Sequence, residues 1–124
     1  MTWCTQGKFS RDSTFPKDDH RNFNGHGEAF DIGETFSGVD YSVGLEAVEE
    51  IRRFLPAGLS MSQFALRWTL MFDAVTCVIP GGKRPEQVIE NCQSSDLPPL
   101  TEQAMAGVRH IYESKIHPLV GARW

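Results

Sequence analysis

The chain has 124 residues, of which 40% are hydrophobic, a size that suits one domain with one hydrophobic core. Its net charge of -4 and its pI near 5.5 argue against nucleic-acid or anionic-membrane partners, because clustered Lys and Arg recruit those partners. No apolar run reaches the roughly 18 residues that span a bilayer, and the N-terminus lacks the apolar core of a signal peptide, so we expect a soluble, cytoplasmic protein.

The first forty residues predict a long loop. Gly, Asp, Asn, His and Phe follow one another there in irregular order, with neither a helical nor a strand period. Connections longer than about 12 to 15 residues are uncommon in compact domains unless they are functional or disordered. Aromatic residues argue against disorder, so we expect a functional loop that rests on other parts of the protein. The aromatics are Phe9, Phe15, Phe23, Phe30 and Phe36.

A first helix is predicted over residues 42–55, before Pro56. Its apolar residues recur at helical spacing, and its charged residues occupy the opposite face. Glu49 and Arg53 lie at i,i+4 on that outer face, so we expect them to pair. The apolar stripe, which predicts the buried face, consists of Val43, Ala47, Val48, Ile51, Phe54 and Leu55.

Two buried elements are predicted next. Ser60 opens a second helix with Gln63 as its capping-box partner, because each side chain satisfies the other residue's free backbone N–H. Residues 64–72 are apolar nearly all round, so we expect this helix to lie buried between other elements. Residues 74–79 form a short apolar run rich in β-branched residues, which Pro80 stops. Its lack of alternation favours a parallel strand covered on both faces.

Two more helices complete the predicted elements. The third begins with Pro85 at its first position and ends near Ser94, and Thr101 caps the fourth. A parallel strand needs neighbours on both edges, and the residues encode no second convincing strand. The chain therefore looks like part of a larger α/β protein. The apolar stripe of the fourth helix consists of Met105, Val108, Ile111 and Tyr112.

Residues 78–91 combine a strand end, a glycine turn and a helix start in an order that favours anion binding. Glycines let backbone N–H groups approach a ligand, and the helix start at Pro85 directs free N–H groups and the positive end of its dipole to the same point. Arg84 adds a planar fork and Lys83 a point charge. The turn therefore predicts a phosphate site, most simply for a nucleotide cofactor.

A simpler interpretation of the same residues stays open. Gly-Gly after a strand is an ordinary turn, and Lys-Arg before a helix is commonly solvated. Glu86 already complements the helix dipole and repels a nearby anion. In favour of a ligand, Gln87 and Asn91 lie four residues apart on one helix face, so both amides can reach one molecule.

The cysteines indicate neither a disulfide framework nor a zinc site. Cys4, Cys77 and Cys92 are odd in number and lack the spacing of metal ligands. We interpret Cys77 and Cys92 as small buried apolar residues. No metal site is predicted.

Four segments carry a resemblance to a known family: GKFSRDSTFPKDDHRNFN, FALRWTLMFDAVTCVIPG, RPEQVIEN and DLPPLT. Together they make residues 7–124 similar to the C-terminal part of a bacterial-type aldo-keto reductase, whereas residues 1–6 do not resemble it. The resemblance implies an α/β protein, a C-terminal fragment of a (β/α)8 TIM barrel. Such a fragment is mostly helical, with one core parallel strand and a long N-terminal loop over residues 7–40; the helices and the last barrel strand occupy 41–124.

The resemblance also implies NADP(H) as cofactor. In such reductases the last barrel strand and the following helix bind the adenosine end of the cofactor, with the 2′-phosphate held by the glycine turn and its cations. Gln87 stands where many members have Arg, a change that weakens the phosphate grip unless Lys83 and Arg84 compensate. Of the loop that covers the pyrophosphate in the family, only Gly7 and Lys8 are kept. The implied cofactor-binding residues are Gly81, Gly82, Lys83, Arg84, Gln87, Glu90 and Asn91.

No catalytic residue is identified in the chain. The family transfers a hydride from nicotinamide to a carbonyl with a Tyr, Asp, Lys and His that lie in the N-terminal half of the barrel, and none is matched here. Tyr41 and Tyr112 are interpreted as packing residues, and the four histidines as surface residues. We therefore expect a truncated reductase that is inactive alone, unless another chain supplies the missing barrel.

Two alternatives belong to other functional classes. The first is a non-catalytic, reductase-like module that serves interaction or regulation. The second is a helix-turn-helix DNA binder formed by the helices on either side of residues 56–60. The charge pattern disfavours DNA binding, because Arg67 is the one cation on a mostly apolar second helix.

Overall fold

The computed structural model describes residues 10, 12–25, 28, 29, 31, 35 and 38–123, and all regular secondary structure in these residues is helical. A 3-10 turn, Arg52–Phe54, follows the second helix, and a π-helical turn, Tyr112–Ile116, joins the last two helices before a final 3-10 turn at Gly121–Arg123. The helices are α1 His20–Phe23, α2 Tyr41–Ile51, α3 Met61–Thr69, α4 Pro85–Gln93, α5 Glu102–Ile111 and α6 His117–Val120.

Helix α2 begins close to its predicted start but ends at Ile51, earlier than predicted. The Asp40 carboxylate accepts the backbone N–H of Ser42 at 2.8 Å and so caps the first turn. After Ile51 the helix tightens into the 3-10 turn before Leu55 becomes extended. On the exposed face, Glu49 pairs with Arg52 at 3.2 Å, so the ion pair predicted with Arg53 is wrong.

Helix α3 begins with the predicted capping box. The Ser60 hydroxyl accepts the Gln63 N–H at 3.2 Å, and the Gln63 side chain accepts the Ser60 N–H at 3.1 Å. The prediction that this helix is buried all round is wrong. Only Met61 and Phe64 are fully buried, whereas residues 65–70 are half-buried. Within the described residues, α3 packs on the core from one side.

Helices α4 and α5 confirm their predicted starts. Pro85 occupies the first turn of α4, and the Thr101 hydroxyl accepts the Ala104 N–H at 3.2 Å at the start of α5. The π-helical turn after α5 was not predicted. Pro118 has no N–H to give the preceding turn, and its ring crowds the carbonyl four residues earlier, so the chain widens there.

The hydrophobic core lies on two sides of α2. Ala47 and Val48 are adjacent along the helix and face different groups of side chains, while Ile51 and Phe54 contact both groups. The α3 and α5 side consists of Val48, Met61, Phe64, Leu100 and Ala104, and the C-terminal side of Ala47, Ile111, Ile116 and Val120. Helix α4 contributes no buried residue, so the core does not hold it directly.

The predicted α/β class, with a core parallel strand in a fragment of a (β/α)8 TIM barrel, is wrong. The described residues contain no strand, and residues 75–82, which include most of the predicted strand, are irregular. A parallel strand forms only when neighbours complete its backbone hydrogen bonds, and the described part of the chain provides no such neighbour. The apolar run therefore lies on the surface, where Ile79 is 92% exposed.

The burial predicted for two cysteines is also wrong, since Cys77 and Cys92 are both exposed. Cys77 belongs to the irregular run that replaces the predicted strand, and Cys92 lies on α4, which has no buried face. Their surroundings, and not their small apolar side chains, decide their exposure.

The described part of the first forty residues contacts the start of α2. The ring of Phe15 meets that of Tyr41 edge to face at 6.1 Å between centroids, and the Arg21 guanidinium lies 4.5 Å from the Phe15 centroid. The Tyr41 hydroxyl donates to the Ser10 carbonyl at 3.1 Å. Phe9, Phe30 and Phe36 lie outside the described residues. None of the helices described is both long and apolar enough to cross a membrane.

Candidate functional site

The candidate site is the turn between the irregular apolar run and α4. Residues 81–86 are all exposed, and Arg84 stands at the N-cap of α4 with extended backbone. No side chain caps the helix at this position. The cations Lys83 and Arg84 thus lie at the positive end of a nine-residue helix, where both charges are open to solvent.

The amide side chains of α4 fold this turn back onto the helix. The Lys83 backbone N–H donates to the Gln87 side-chain oxygen at 2.8 Å. The Asn91 side-chain N–H donates to the Gly81 carbonyl at 3.3 Å. The structure therefore brings together four of the predicted site residues, and both amides contact the turn's own backbone.

Gly81 and Gly82 differ in the space that surrounds them. A Cβ on Gly82 would lie 3.0 Å from the Val88 side chain, because the backbone of the turn rests on α4. A Cβ on Gly81 would meet nothing within 4 Å. Neither glycine has positive φ, unlike Gly38 and Gly58. Close packing explains Gly82, and open space on the solvent side of Gly81 leaves room for a ligand.

The first turn of α4 has few free donors. Pro85 has no N–H, and the N–H of Gln87 donates to the Arg84 carbonyl at 3.1 Å. Glu86 adds a carboxylate beside the two cations, so the turn holds two positive charges and one negative charge. Any anion held here therefore depends on the cationic side chains more than on a ring of helix N–H groups.

Glu90 lies between α4 and α3. Its carboxylate accepts a hydrogen bond from the Ser60 hydroxyl, the same group that caps α3. A carboxylate at the N-terminus of α3 is favourable because the helix dipole is positive there. Ser60 was predicted only as a cap, since its partner lies 30 residues away and no local sequence signal reveals the contact.

An apolar surface adjoins the turn. Ile79 precedes it, and Val88 and Ile89 follow on α4 with 51% and 59% exposure. Exposed apolar side chains that form a contiguous patch are typical of surfaces that contact another molecule. Among the residues described, no cluster of three potential metal-ligating side chains occurs.

The two tyrosines make packing or hydrogen-bond contacts, and the described histidine side chains lie on the surface. Tyr112 packs edge to face against the ring of His117 at 5.9 Å between centroids, and His110 and His117 are exposed, as predicted. Tyr41 bonds to the Ser10 carbonyl. His26 and the side chain of His20 lie outside the description.

Comparison with known proteins identifies the family. Neither a curated protein nor a solved structure gives a significant match to the chain. The model of the aldo/keto reductase family matches residues 4–113, which include both the candidate turn and α4. That family consists of oxidoreductases that generally use nicotinamide cofactors. Because the match covers most of its 124 residues, the chain belongs to the aldo/keto reductase family.

Proposed function

We propose that this chain contributes the part of an NADP(H)-dependent aldo/keto reductase that binds the adenosine end of the cofactor. The observation that carries the proposal is the exposed Lys83–Arg84 pair at the N-terminus of α4, in a chain of a family that generally uses nicotinamide cofactors. The proposed cofactor-binding residues are Gly81, Gly82, Lys83, Arg84, Gln87, Glu90 and Asn91.

The 2′-phosphate is the group that this turn suits best. Arg84 can grip two phosphate oxygens through its planar fork, and Lys83 adds a mobile charge beside it. The open space at Gly81 admits the ligand to the backbone. The cations outnumber Glu86, so a dianionic phosphate is attracted overall, whereas the 2′-hydroxyl of NAD(H) gains little from them.

The ribose and adenine lie along α4 in this proposal. Asn91 and Gln87 present amide groups on the face that meets the turn. Glu90 has one carboxylate oxygen bonded to Ser60, and the other can accept a ribose hydroxyl. The contact with Ser60 links Glu90 of α4 to the start of α3, whereas Gln87 and Asn91 bond to the backbone of the turn.

Hydride transfer to a carbonyl needs groups that this chain does not match. We therefore propose that the 124-residue chain binds cofactor weakly and does not reduce carbonyls by itself.

Titration of the purified chain with NADP+ and with NAD+ tests the proposal. We expect NADP+ to bind more tightly, and Arg84→Ala to weaken NADP+ by about tenfold, since a hydrogen bond to a charged group contributes about 1.5 kcal/mol or more. NAD+ binding should be unaffected. Arg53→Ala, which removes an exposed arginine outside the candidate turn and α4, is the matched control. Equal binding of both dinucleotides, or no binding of either, contradicts the proposal.

A second candidate function, contact with another protein chain, is favoured by the exposed aliphatic side chains of Ile79, Val88 and Ile89. Such a chain could supply the missing part of a reductase or be regulated by this module. Light scattering after size-exclusion chromatography tests this. We expect self-association or binding to a partner to be lost in Ile79→Ser with Ile89→Ser. A monomer that captures no partner contradicts this function.

A further inference from the structure

The side chain of Gln87 occupies a backbone donor in the turn of the proposed site. Its amide oxygen accepts the Lys83 backbone N–H at 2.8 Å, which is the length of a strong neutral hydrogen bond. Lys83 also carries one of the two cations of the turn. A phosphate drawn to that cation meets a backbone N–H that is already bonded.

We propose that Gln87 is an internal competitor for the phosphate, a residue that sets the specificity of the site. In the free chain its amide oxygen holds the place of a phosphate oxygen on the Lys83 N–H, and the phosphate binds after Gln87 has left. This inference rests on the proposed function, because it assumes that the turn binds a phosphate.

The geometry of the turn supports this role. Gln87 is the third residue of α4, where a side chain reaches back toward the residues before the helix, as in a capping box. Here the Gln87 side chain accepts the backbone N–H of Lys83, one residue before the N-cap. Asn91 fixes the Gly81 carbonyl at the other end of the turn, so the N–H of Lys83 is held toward the helix start. Removal of Gln87 frees that N–H and leaves the contact of Asn91 in place.

The strengths of the competing hydrogen bonds give specificity. A bond from an N–H to an ionised phosphate is roughly twice as strong as one to a neutral amide, so a phosphate can displace Gln87. A 2′-hydroxyl has no such advantage. Gln87 therefore lowers affinity for every ligand that needs the Lys83 N–H, and only an anion overcomes it.

The test uses the full 124-residue chain and two probes, adenosine 2′-phosphate and adenosine. Its variants are Gln87→Ala, Gln87→Glu and, as control, Gln93→Ala at the exposed end of the same helix. The dissociation constants are measured by titration. The exchange rate of the Lys83 amide is measured by NMR without ligand. Circular dichroism shows that each variant is folded; a change to Ala favours helix in both cases.

We expect the Lys83 amide to exchange faster in Gln87→Ala, and adenosine 2′-phosphate to bind about fivefold more tightly, the factor that loss of one competing neutral hydrogen bond gives. Gln87→Glu keeps the acceptor and adds a negative charge, so it should bind the phosphate at least about tenfold more weakly. Gln93→Ala should match the wild type. Adenosine carries no phosphate to displace Gln87, so its affinity should not rise in Gln87→Ala.

Two results overturn the inference and leave the proposed function standing. In the first, the wild type binds adenosine 2′-phosphate and Gln87→Ala binds it more weakly or equally well. Weaker binding would mean that Gln87 contacts the ligand, and equal binding would mean that Gln87 has no effect on it. The other is unchanged exchange of the Lys83 amide in Gln87→Ala, which means that the hydrogen bond is not formed. If no chain binds adenosine 2′-phosphate, including the wild type, the proposed function itself fails and the inference fails with it.

Discussion

The packing of Phe54 against α5 allows a quantitative test of the core. A Cβ on Gly107 would lie 2.2 Å from the tip of the Phe54 ring and within 2.7 Å of two more ring atoms. Phe54 contacts both sides of the core, so its ring has little room to turn away. Gly107→Ala gains about 1 kcal/mol from helix propensity, whereas overpacking costs about 1–3 kcal/mol. We expect a net loss of up to about 2 kcal/mol in the free energy of unfolding.

Urea unfolding followed by circular dichroism measures this loss. Ala106→Gly, at an exposed position of the same helix, is the control for propensity alone and should cost about 1 kcal/mol. Phe54→Leu replaces the ring with a shorter side chain and should relieve the clash. Gly107→Ala should then be stabilising in that background. A Gly107→Ala chain that is about 1 kcal/mol more stable than wild type, with Phe54 intact, would refute this account of the packing.

Two further predictions concern contacts between helices. Ser60→Ala removes both the α3 cap and the bond to Glu90, whereas Thr101→Ala removes a cap alone. Ser60→Ala should therefore lower the free energy of unfolding by about 1 kcal/mol more than Thr101→Ala. Equal losses in urea unfolding would contradict the Glu90 contact. Lys115 lies 3.0 Å from Glu50 and 3.7 Å from Glu46, and the hydrogen bond with Glu50 raises the pKa of Lys115 above its usual value. The stability that this contact contributes is present below the usual pKa of Lys115 and is lost as pH rises through the raised pKa. The urea midpoint of the wild type should therefore fall in alkaline solution, and that of Lys115→Met should fall less. Identical pH dependence of the two midpoints would contradict this prediction.

Local interactions made the helices predictable from the sequence. The capping box of Ser60 and Gln63, the cap at Thr101 and the proline at position 85 act within one helical turn, and all three appear in the structure as predicted. The apolar stripe of α2 likewise places Ala47 and Val48 in the core. The positive charge of the turn before α4 was equally readable, because Lys83 and Arg84 adjoin the helix start.

Only the tertiary structure decided what surrounds these elements. A strand and a buried helix face each need partners distant in sequence, so residues 74–79 and the outer side of α3 were wrongly predicted as buried. The contact of Glu90 with Ser60 depends on how α4 packs on α3. The bond from Lys83 to Gln87 depends on how the turn folds back. The sequence by itself determined the helices and the charge of the site, since these depend on near neighbours; burial and the direction of each polar side chain depend on the whole packed chain.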